Sequence, residues 1–267
     1  MEIKNYYVAK DLDDALQKFM LSSDNHLLGG GAWMKNSLRH IDTAIELSHL
    51  VSNDITETKE FIEIGAMCTL HDLSIHPAII KYYDGILAQA SKQIMGITVR
   101  NIATIGGTIA GKYAFSDLLT PLLAMNCQLM FYRQGIITLE EYLQSAIREK
   151  DILLKVLIKK STAKGYFHKV AKTALDFSIV NVAVVKDNQN FSVCVGARPQ
   201  IAAKAFKACE LLNSSGVINQ EIIEKAAKMA ADELTFSSNF RGQAEYRKMV
   251  TETYIKRGLQ EVITNAR

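Results

Sequence analysis

The chain has 267 residues, of which 48% are hydrophobic and 22% charged, so it is long enough for one large or two modest cores. Its net charge of +3 is made of interspersed acids and bases without a single-sign block, which argues against nucleic acid and anionic membranes as partners. No run is apolar over the ~20 residues of a membrane helix, and residues 1–14 lack the order of a secretion signal, so we expect a cytoplasmic protein without membrane contact.

The cysteine and histidine positions argue against a metal site in this chain. The four cysteines are far apart and form no CxxC unit, so we expect them to be reduced: Cys68, Cys127, Cys194 and Cys209. An iron–sulfur cluster needs several thiolates close together. The histidines lack metal-binding spacing as well, since no HExxH occurs. The sequence therefore predicts neither a metal ion nor an iron–sulfur cluster here.

The first candidate ligand loop is a glycine run that follows a short strand. Asp11 is placed to cap a helix, and the later strand at Leu27-Leu28 runs into GGG at 29–31. Such a run marks either a plain turn or a loop whose backbone N–H groups approach a phosphate. A GxGxxG fingerprint would need glycine where Met34 stands, and the GK[ST] of a P-loop is missing. The residues alone leave the turn and the ligand loop open.

The second candidate loop lies in the central stretch, residues 93–123. It follows a predicted helix over 79–93, and its branched residues at 97–105 are typical of a strand that breaks at Gly106-Gly107. Ser116 and Asp117 come next, at an expected helix start. Asp117 is interpreted as a cap for that helix, as an acceptor for the hydroxyls of a sugar-like chain, or as both. This pattern is suited to a cofactor that bears phosphate.

The remaining pattern divides the chain into two parts. A capping box at 138–141 and an apolar strand at 151–158 end the first part. Residues 159–165 are polar and small, so we place the boundary there and expect domains at 1–160 and 161–267. The second part is predicted to contain strands and a hairpin, followed by helices at about 202–212, 219–234 and 243–263, the last with Met249 and Val250 facing a core.

These stretches together resemble the FAD-binding subunit of molybdenum hydroxylases, the family that contains xanthine dehydrogenase and carbon monoxide dehydrogenase. The resemblance is carried by LLGGGAWMK at 27–35, FIEIGAMCTLHDL at 61–73, VRNIATIGGTIAGKYAFSDLLTPLLAM at 99–125, GYFHKVAKTALDFSIVNVAV at 165–184 and FRGQAEYRKMVTETYIKRGL at 240–259. It implies an α+β fold. The first domain would be a two-part FAD-binding domain like that of p-cresol methylhydroxylase and vanillyl-alcohol oxidase, and the second a smaller α+β domain of the CO dehydrogenase flavoprotein C-terminal type.

The resemblance also implies a set of FAD-binding residues. The matching positions are Leu28, Gly29, Gly30, Gly31, Ala32, Trp33, Met34, Thr104, Gly106, Gly107, Thr108, Ser116, Asp117, Leu153 and Lys169. In the family the first glycine loop wraps the pyrophosphate, and the positions of Leu153 and Lys169 lie near the flavin ring. Relatives commonly have Thr-Asp at Ala32-Trp33, asparagine at Thr108, and small residues with proline at 113–115. No reactive His or Cys matches an attachment motif, so we expect FAD to be non-covalent.

The expected function is that of an electron-transfer subunit. The sequence offers no catalytic triad and no paired-carboxylate motif, so we assign no catalytic residue and place substrate oxidation on another chain. We expect an FAD-binding subunit of a multi-subunit molybdenum hydroxylase, most like xanthine dehydrogenase. Its partners would be an iron–sulfur subunit and a molybdenum-cofactor subunit, and its acceptor NAD or another electron carrier. The alternatives are a stand-alone flavin oxidase or reductase of the same fold, and a scaffold subunit that has lost FAD.

Overall fold

The computed structural model describes residues 2–36, 40–145 and 149–264. Its N-terminal part is a parallel sheet with a helix between its first two strands in sequence. The elements are β1 (Glu2–Val8), α1 (Leu12–Met20), β2 (Asn25–Leu28) and β3 (His40–Glu46), with strand order β1-β3-β2. The predicted cap of α1 is confirmed, since the Asp11 carboxylate accepts a hydrogen bond from Asp14 N at 2.9 Å. Strand β2 ends where the first glycine loop begins.

A five-stranded antiparallel sheet and a group of short helices make up the middle of the described chain. The elements are β4 (Ile55–Glu57), β5 (Phe61–Gly65), α2 (Leu70–Ile75), α3 (Pro77–Lys81), α4 (Ile86–Lys92), α5 (Ile97–Arg100), α6 (Ile105–Gly111), α7 (Leu119–Ala124), β6 (Gln128–Phe131), β7 (Gly135–Thr138), α8 (Leu139–Gln144) and β8 (Leu153–Lys159). The strand order is β4-β5-β8-β6-β7. The capping box at the start of α8 is confirmed, with Thr138 and Glu141 bonded to each other's backbone N–H.

The prediction of a strand over 97–105 is wrong, because this stretch forms helix α5 and the start of α6. Strand propensity depends on neighbours, and here local bonds replace a sheet ladder. Ala103 N donates to Val99 O at 2.8 Å, and the Thr104 hydroxyl accepts from Gly107 N at 3.0 Å, which caps α6. The predicted helix over 79–93 is also interrupted, since Tyr83 and Asp84 have positive φ between α3 and α4.

The C-terminal part is an antiparallel sheet covered by helices. The elements are β9 (Lys164–Val170), β10 (Val180–Asp187), β11 (Asn190–Gly196), β12 (Ala203–Lys204), α9 (Phe206–Ser214), α10 (Gln220–Glu233) and α11 (Ala244–Thr264), with strand order β12-β11-β10-β9. The predicted hairpin is confirmed by the pairing of Asp187 with Asn190. Met249 is 60% exposed, so its predicted core position is wrong, while Val250 is buried as expected. The helix predicted from 202 begins later, because Ala203 and Lys204 pair with β11.

Helix α7 joins the middle part to the C-terminal sheet. It packs against β10 and β11. The Thr120 hydroxyl, on the buried side of α7, donates to Asn181 Oδ1 on β10 at 2.5 Å. This contact brings the segment before α7, which contains Ser116 and Asp117, against the start of β10. Among the described residues, no helix has both the length and the apolar character needed to cross a membrane.

Candidate functional site

The two glycine loops approach each other so closely that a side chain would not fit between them. A Cβ built on Gly30 would lie 1.2 Å from Ile102 O, so only glycine allows this backbone approach. Beside the contact lies a cavity of about 180 Å³, called here the glycine cavity. The predicted site residues that line it are Gly29, Gly30, Gly31, Ala32, Trp33, Met34, Thr104, Gly107 and Thr108. The structure therefore brings both predicted loops into one site.

Gly107 forms part of the cavity wall from within helix α6. A Cβ built on it meets only Thr104 Oγ1 within 4 Å, at 3.0 Å, and the residue lines the cavity on its open side. Gly106, Gly107 and Gly111 are all helical and have no positive φ. In the two loops positive φ occurs at Gly31 (66°), Met95 (45°) and Lys112 (45°). The role of Gly107 in the second loop is therefore to leave the cavity wall free of a side chain.

A larger cavity of about 780 Å³ adjoins the glycine cavity, and Gly29, Thr104 and Gly107 line both. We call it the large cavity. Its volume is within the range of ~300–1,000 Å³ typical of small-molecule sites. Gly106 and Leu153 also line it. Its wall carries charged residues that the sequence did not mark as part of a ligand site, from Lys112, Glu141, Glu149, Lys150 and Asp151.

Lys150 is one of these charged groups, and it is bound to backbone carbonyls of a distant segment. Its Nζ donates to Phe19 O at 2.7 Å and to Ser22 O, and lies 4.4 Å from the centroid of the Phe19 ring. Burial lowers the pKa of Lys150 from its usual value, because it disfavours the charged ammonium. The lysine thus ties the loop before β8 to the end of α1, and these segments form one side of the large cavity.

On the opposite side of the glycine cavity lies a small space of about 30 Å³, called here the aromatic cavity. Trp33, Thr108, Ser116, Asp117 and Lys169 line it. The Lys169 ammonium and the Asp117 carboxylate are 3.0 Å apart, and their side chains are only 4% and 5% exposed. A buried ion pair of this kind requires further hydrogen bonds to offset its desolvation.

Those further bonds come mostly from the C-terminal part. Ser178 Oγ and Asn181 Nδ2 both donate to Asp117 Oδ1, the second at 2.7 Å, and Lys169 Nζ also donates to Gln93 O at 3.1 Å. Asp117 therefore does not cap α7. The hydroxyl of Ser116 accepts from Leu119 N at 3.3 Å instead. The carboxylate links three segments of the chain, because helix α7 places it against β9 and the start of β10.

Aromatic side chains fill most of the space around the aromatic cavity. Trp33 lies 5.2 Å from Phe115 and 5.3 Å from Phe177, and Phe115 lies 4.7 Å from Phe177, between ring centroids. Tyr113 stacks on Phe115 at 5.1 Å. We call Trp33, Tyr113, Phe115 and Phe177 the aromatic cluster. Sequence reasoning missed Phe177, which lies in the loop between β9 and β10.

The structure separates two residues that the family resemblance places near the flavin ring. Leu153 lines the large cavity, whereas Lys169 lines the aromatic cavity. Leu28 is not among the lining residues of these cavities within the described chain; Leu27 lines the large and glycine cavities instead. The Leu28 side chain lies beside Gly31, whose built Cβ would be 3.5 Å from Leu28 Cδ1. The predicted site residues are thus spread along a continuous path of adjoining cavities.

Residues 2–36, 40–145 and 149–264 contain no group of three or more His, Cys, Asp or Glu side chains that could hold a metal ion. The four cysteines are free and buried. Burial raises the pKa of Cys68 to about 12, and it raises the pKa values of Cys127 and Cys194 further. These thiols are therefore protonated at neutral pH and suited to packing.

Comparison with known proteins identifies the chain's family. The family model described as FAD binding domain in molybdopterin dehydrogenase matches residues 1–159, and CO dehydrogenase flavoprotein C-terminal domain matches residues 165–262. The chain is 24% identical to the nicotine 6-hydroxylase medium subunit of Paenarthrobacter nicotinovorans, covering 96% of each chain. It is 23% identical to the xanthine dehydrogenase FAD-binding subunit of Escherichia coli O157:H7, covering 99% of this chain and 98% of that one.

The fold agrees with this assignment. A chain in the structure of carbon monoxide dehydrogenase from Hydrogenophaga pseudoflava, in the form that lacks the Mo-pyranopterin moiety of its cofactor, superimposes with a TM-score of 0.87. The sequences are 22% identical, and the match covers 98% of both chains. The fold class and the resemblance inferred from sequence are confirmed. This chain belongs to the family of FAD-binding domains of molybdopterin dehydrogenases and carries the family's CO dehydrogenase flavoprotein C-terminal domain.

Proposed function

We propose that this chain holds one non-covalent FAD and passes electrons from a partner iron–sulfur subunit to NAD or another acceptor. Substrate hydroxylation then takes place on a partner that carries the molybdenum cofactor. The observation that carries the proposal is the meeting of two glycine loops at one cavity, with a large cavity on one side and a buried Lys169–Asp117 pair on the other. Such a path suits a dinucleotide that has a phosphate bridge in its middle.

The residues present fit the adenosine diphosphate half of FAD. No side chain projects from Gly29, Gly30 or Gly107 into the glycine cavity, so backbone groups can approach a pyrophosphate. The large cavity beside them has room for an adenosine group. With adenosine in the large cavity and the flavin at the aromatic cavity, Leu153 lies at the adenosine end of FAD and Lys169 at the flavin end. This placement revises the expectation that both lie near the flavin ring.

At the flavin end, the proposed role of the chain is to hold charge and exclude water. FAD exchanges both single electrons and hydride equivalents when bound, and the protein supplies position and electrostatics. The Lys169 cation is 3.0 Å from the Asp117 carboxylate, so the pair presents a balanced dipole rather than a free positive charge. Because Ser178 and Asn181 fix the carboxylate, the dipole keeps its orientation.

The small aromatic cavity can be compared with what the two alternative functions, a stand-alone oxidase and a scaffold subunit without FAD, would require. A stand-alone oxidase needs room for an organic substrate beside the ring, but about 30 Å³ holds neither a substrate nor the ring itself, so the volume does not separate it from an electron-transfer subunit. The electron-transfer role is favoured because the relatives are named as a medium subunit and an FAD-binding subunit. The same small volume is the one observation in favour of a scaffold subunit without FAD, so FAD content separates those two candidates.

We further propose a domain boundary, a cellular location and an enzyme type for this chain. We place the domain boundary at 160/161, which the matched ranges 1–159 and 165–262 and the separate core around β10, β11, α10 and α11 support. We also propose a cytoplasmic location, where NAD or another soluble acceptor would be present. The xanthine dehydrogenase type is supported by the FAD-binding subunit of that enzyme among the relatives.

The FAD content of the full-length chain tests the proposal. We expect the purified chain, after incubation with FAD and removal of the excess, to hold one FAD, and acid precipitation to release the flavin into the supernatant. A washed pellet that stays yellow would refute the non-covalent claim. A chain that retains no FAD after incubation would favour the scaffold. Absorbance of the supernatant and of the washed pellet distinguishes these outcomes.

A further inference from the structure

The passage between the glycine cavity and the Lys169–Asp117 pair is closed by aromatic side chains. Trp33 and Tyr113 line both the glycine cavity and the aromatic cavity, so these two rings stand between them. About 30 Å³ remains beyond the rings, whereas small-molecule sites commonly measure ~300–1,000 Å³. The large and glycine cavities have room for the adenosine diphosphate half of a dinucleotide. The aromatic cavity has no room for the flavin half.

The rings of the aromatic cluster are not held equally. Phe177 is fixed on its far side, because Arg241 lies 4.8 Å over its ring and is paired at 3.4 Å with Asp176. Asp176 Oδ1 also accepts from Phe177 N at 2.7 Å. All four rings of the cluster are half-buried, and Trp33 lies two residues after Gly31, whose φ is 66°. Of the two cluster rings that line the glycine cavity, Trp33 and Tyr113, Trp33 is the one that contacts both Phe115 and Phe177.

We propose that Trp33 is a gate: its ring closes the flavin end of the site and must leave Phe115 and Phe177 before an isoalloxazine ring can reach Lys169 and Asp117. The inference rests on the proposed function, since it concerns how FAD enters that site. It also makes Trp33 a determinant of specificity, because ADP docks with the gate closed whereas FAD requires it to open. FAD binding then has two steps, docking of the adenosine half and slower insertion of the ring.

Stopped-flow mixing of the FAD-free full-length chain with FAD, followed by flavin fluorescence, tests the gate. In the wild type we expect a fast phase that grows linearly with FAD concentration and a slow phase whose rate becomes independent of it. Trp33→Ala should lose the slow phase, so that complete insertion is at least tenfold faster. The matched control is Phe206→Ala, since Phe206 is 49% exposed on α9 and outside the aromatic cluster; it should keep both phases.

An ADP analogue separates the gate from the rest of the site. The fluorescent analogue mant-ADP should bind in a single concentration-dependent phase in the wild type, Trp33→Ala and Phe206→Ala. If Trp33→Ala does not fold, Phe115→Leu serves, because it loosens the same closure; the slow phase should then accelerate. A crystal structure of the FAD-loaded chain gives an independent answer, with Trp33 expected away from its contacts with Phe115 and Phe177.

The FAD and mant-ADP binding experiments distinguish the gate from the proposed function. FAD binding in one linear phase, equal in wild type and Trp33→Ala, would overturn the gate and leave the proposed function standing. An unmoved Trp33 in the FAD-loaded structure would do the same. Absence of FAD binding in both proteins, with mant-ADP still bound, would overturn the proposed function and the gate together. A slow phase present in the wild type and Phe206→Ala and lost in Trp33→Ala supports both.

Discussion

Gly107→Val is expected to abolish FAD binding while the fold is kept. The residue is helical, so valine meets no forbidden φ, and glycine itself is a poor helix former. Its added Cβ and methyl groups project into the wall that the glycine and large cavities share, where the two loops meet. We expect FAD affinity to fall by more than about 100-fold, which corresponds to about 2.8 kcal/mol.

The matched control for this substitution is Gly216→Val. Gly216 has no atom within 4 Å of a built Cβ and no positive φ, so valine is accommodated there. FAD titration and urea unfolding of the FAD-free proteins measure the two effects separately. Equal FAD affinity in the wild type and Gly107→Val would show that the proposed site is in the wrong place. Lost FAD binding together with a collapsed urea midpoint would show a folding defect instead.

Asp117→Ala is expected to destabilise the FAD-free protein strongly. Removal of the carboxylate leaves the Lys169 ammonium, which is 4% exposed, with Gln93 O as its remaining partner, and leaves Asn181 Nδ2 without its bond to Asp117. Loss of one partner of a buried ion pair typically costs about 3–5 kcal/mol. We expect a loss of this size in the free energy of unfolding, measured by urea denaturation.

The double variant Asp117→Ala/Lys169→Met identifies the cause. Because methionine removes the unpaired cation while it fills similar space, the double variant should recover more than half of the stability lost in the single variant. A single variant within about 1 kcal/mol of the wild type would mean that Lys169 finds another partner or that water reaches it. No recovery in the double variant would instead point to the bonds with Ser178 and Asn181.

Local chemistry in the sequence was sufficient where a few neighbouring residues decide the structure. The Asp11 cap, the Thr138–Glu141 capping box and the hairpin at 187–190 each depend on side chains within four positions of each other, and all are confirmed. The glycine loops were also found from sequence, although their residues alone left a plain turn open. The resemblance, rather than the glycine run, favoured a ligand.

Contacts between distant segments explain what the sequence did not predict. The stretch 97–105 has branched residues typical of a strand, but the Thr104 cap and bonds within the segment make it helical. The partners of Asp117 are Ser178, just before β10, and Asn181, on β10. They lie 61 and 64 residues away in sequence, so no local pattern reveals that the carboxylate is bound within the protein. The closure of the flavin end by Trp33 likewise depends on rings from separate segments.

Substrate-dependent flavin reduction tests the central claim most directly. The FAD-loaded chain alone and the complex reconstituted with the proposed iron–sulfur and molybdenum-cofactor partners would each be mixed anaerobically with purines or other azaheterocycles, while flavin absorbance is followed. Since electrons are proposed to reach FAD through partner chains, we expect bleaching in the complex with a substrate that it hydroxylates and none in the isolated chain. Reduction of the flavin by the same substrate in the isolated, metal-free chain would contradict the electron-transfer role and favour a stand-alone oxidase.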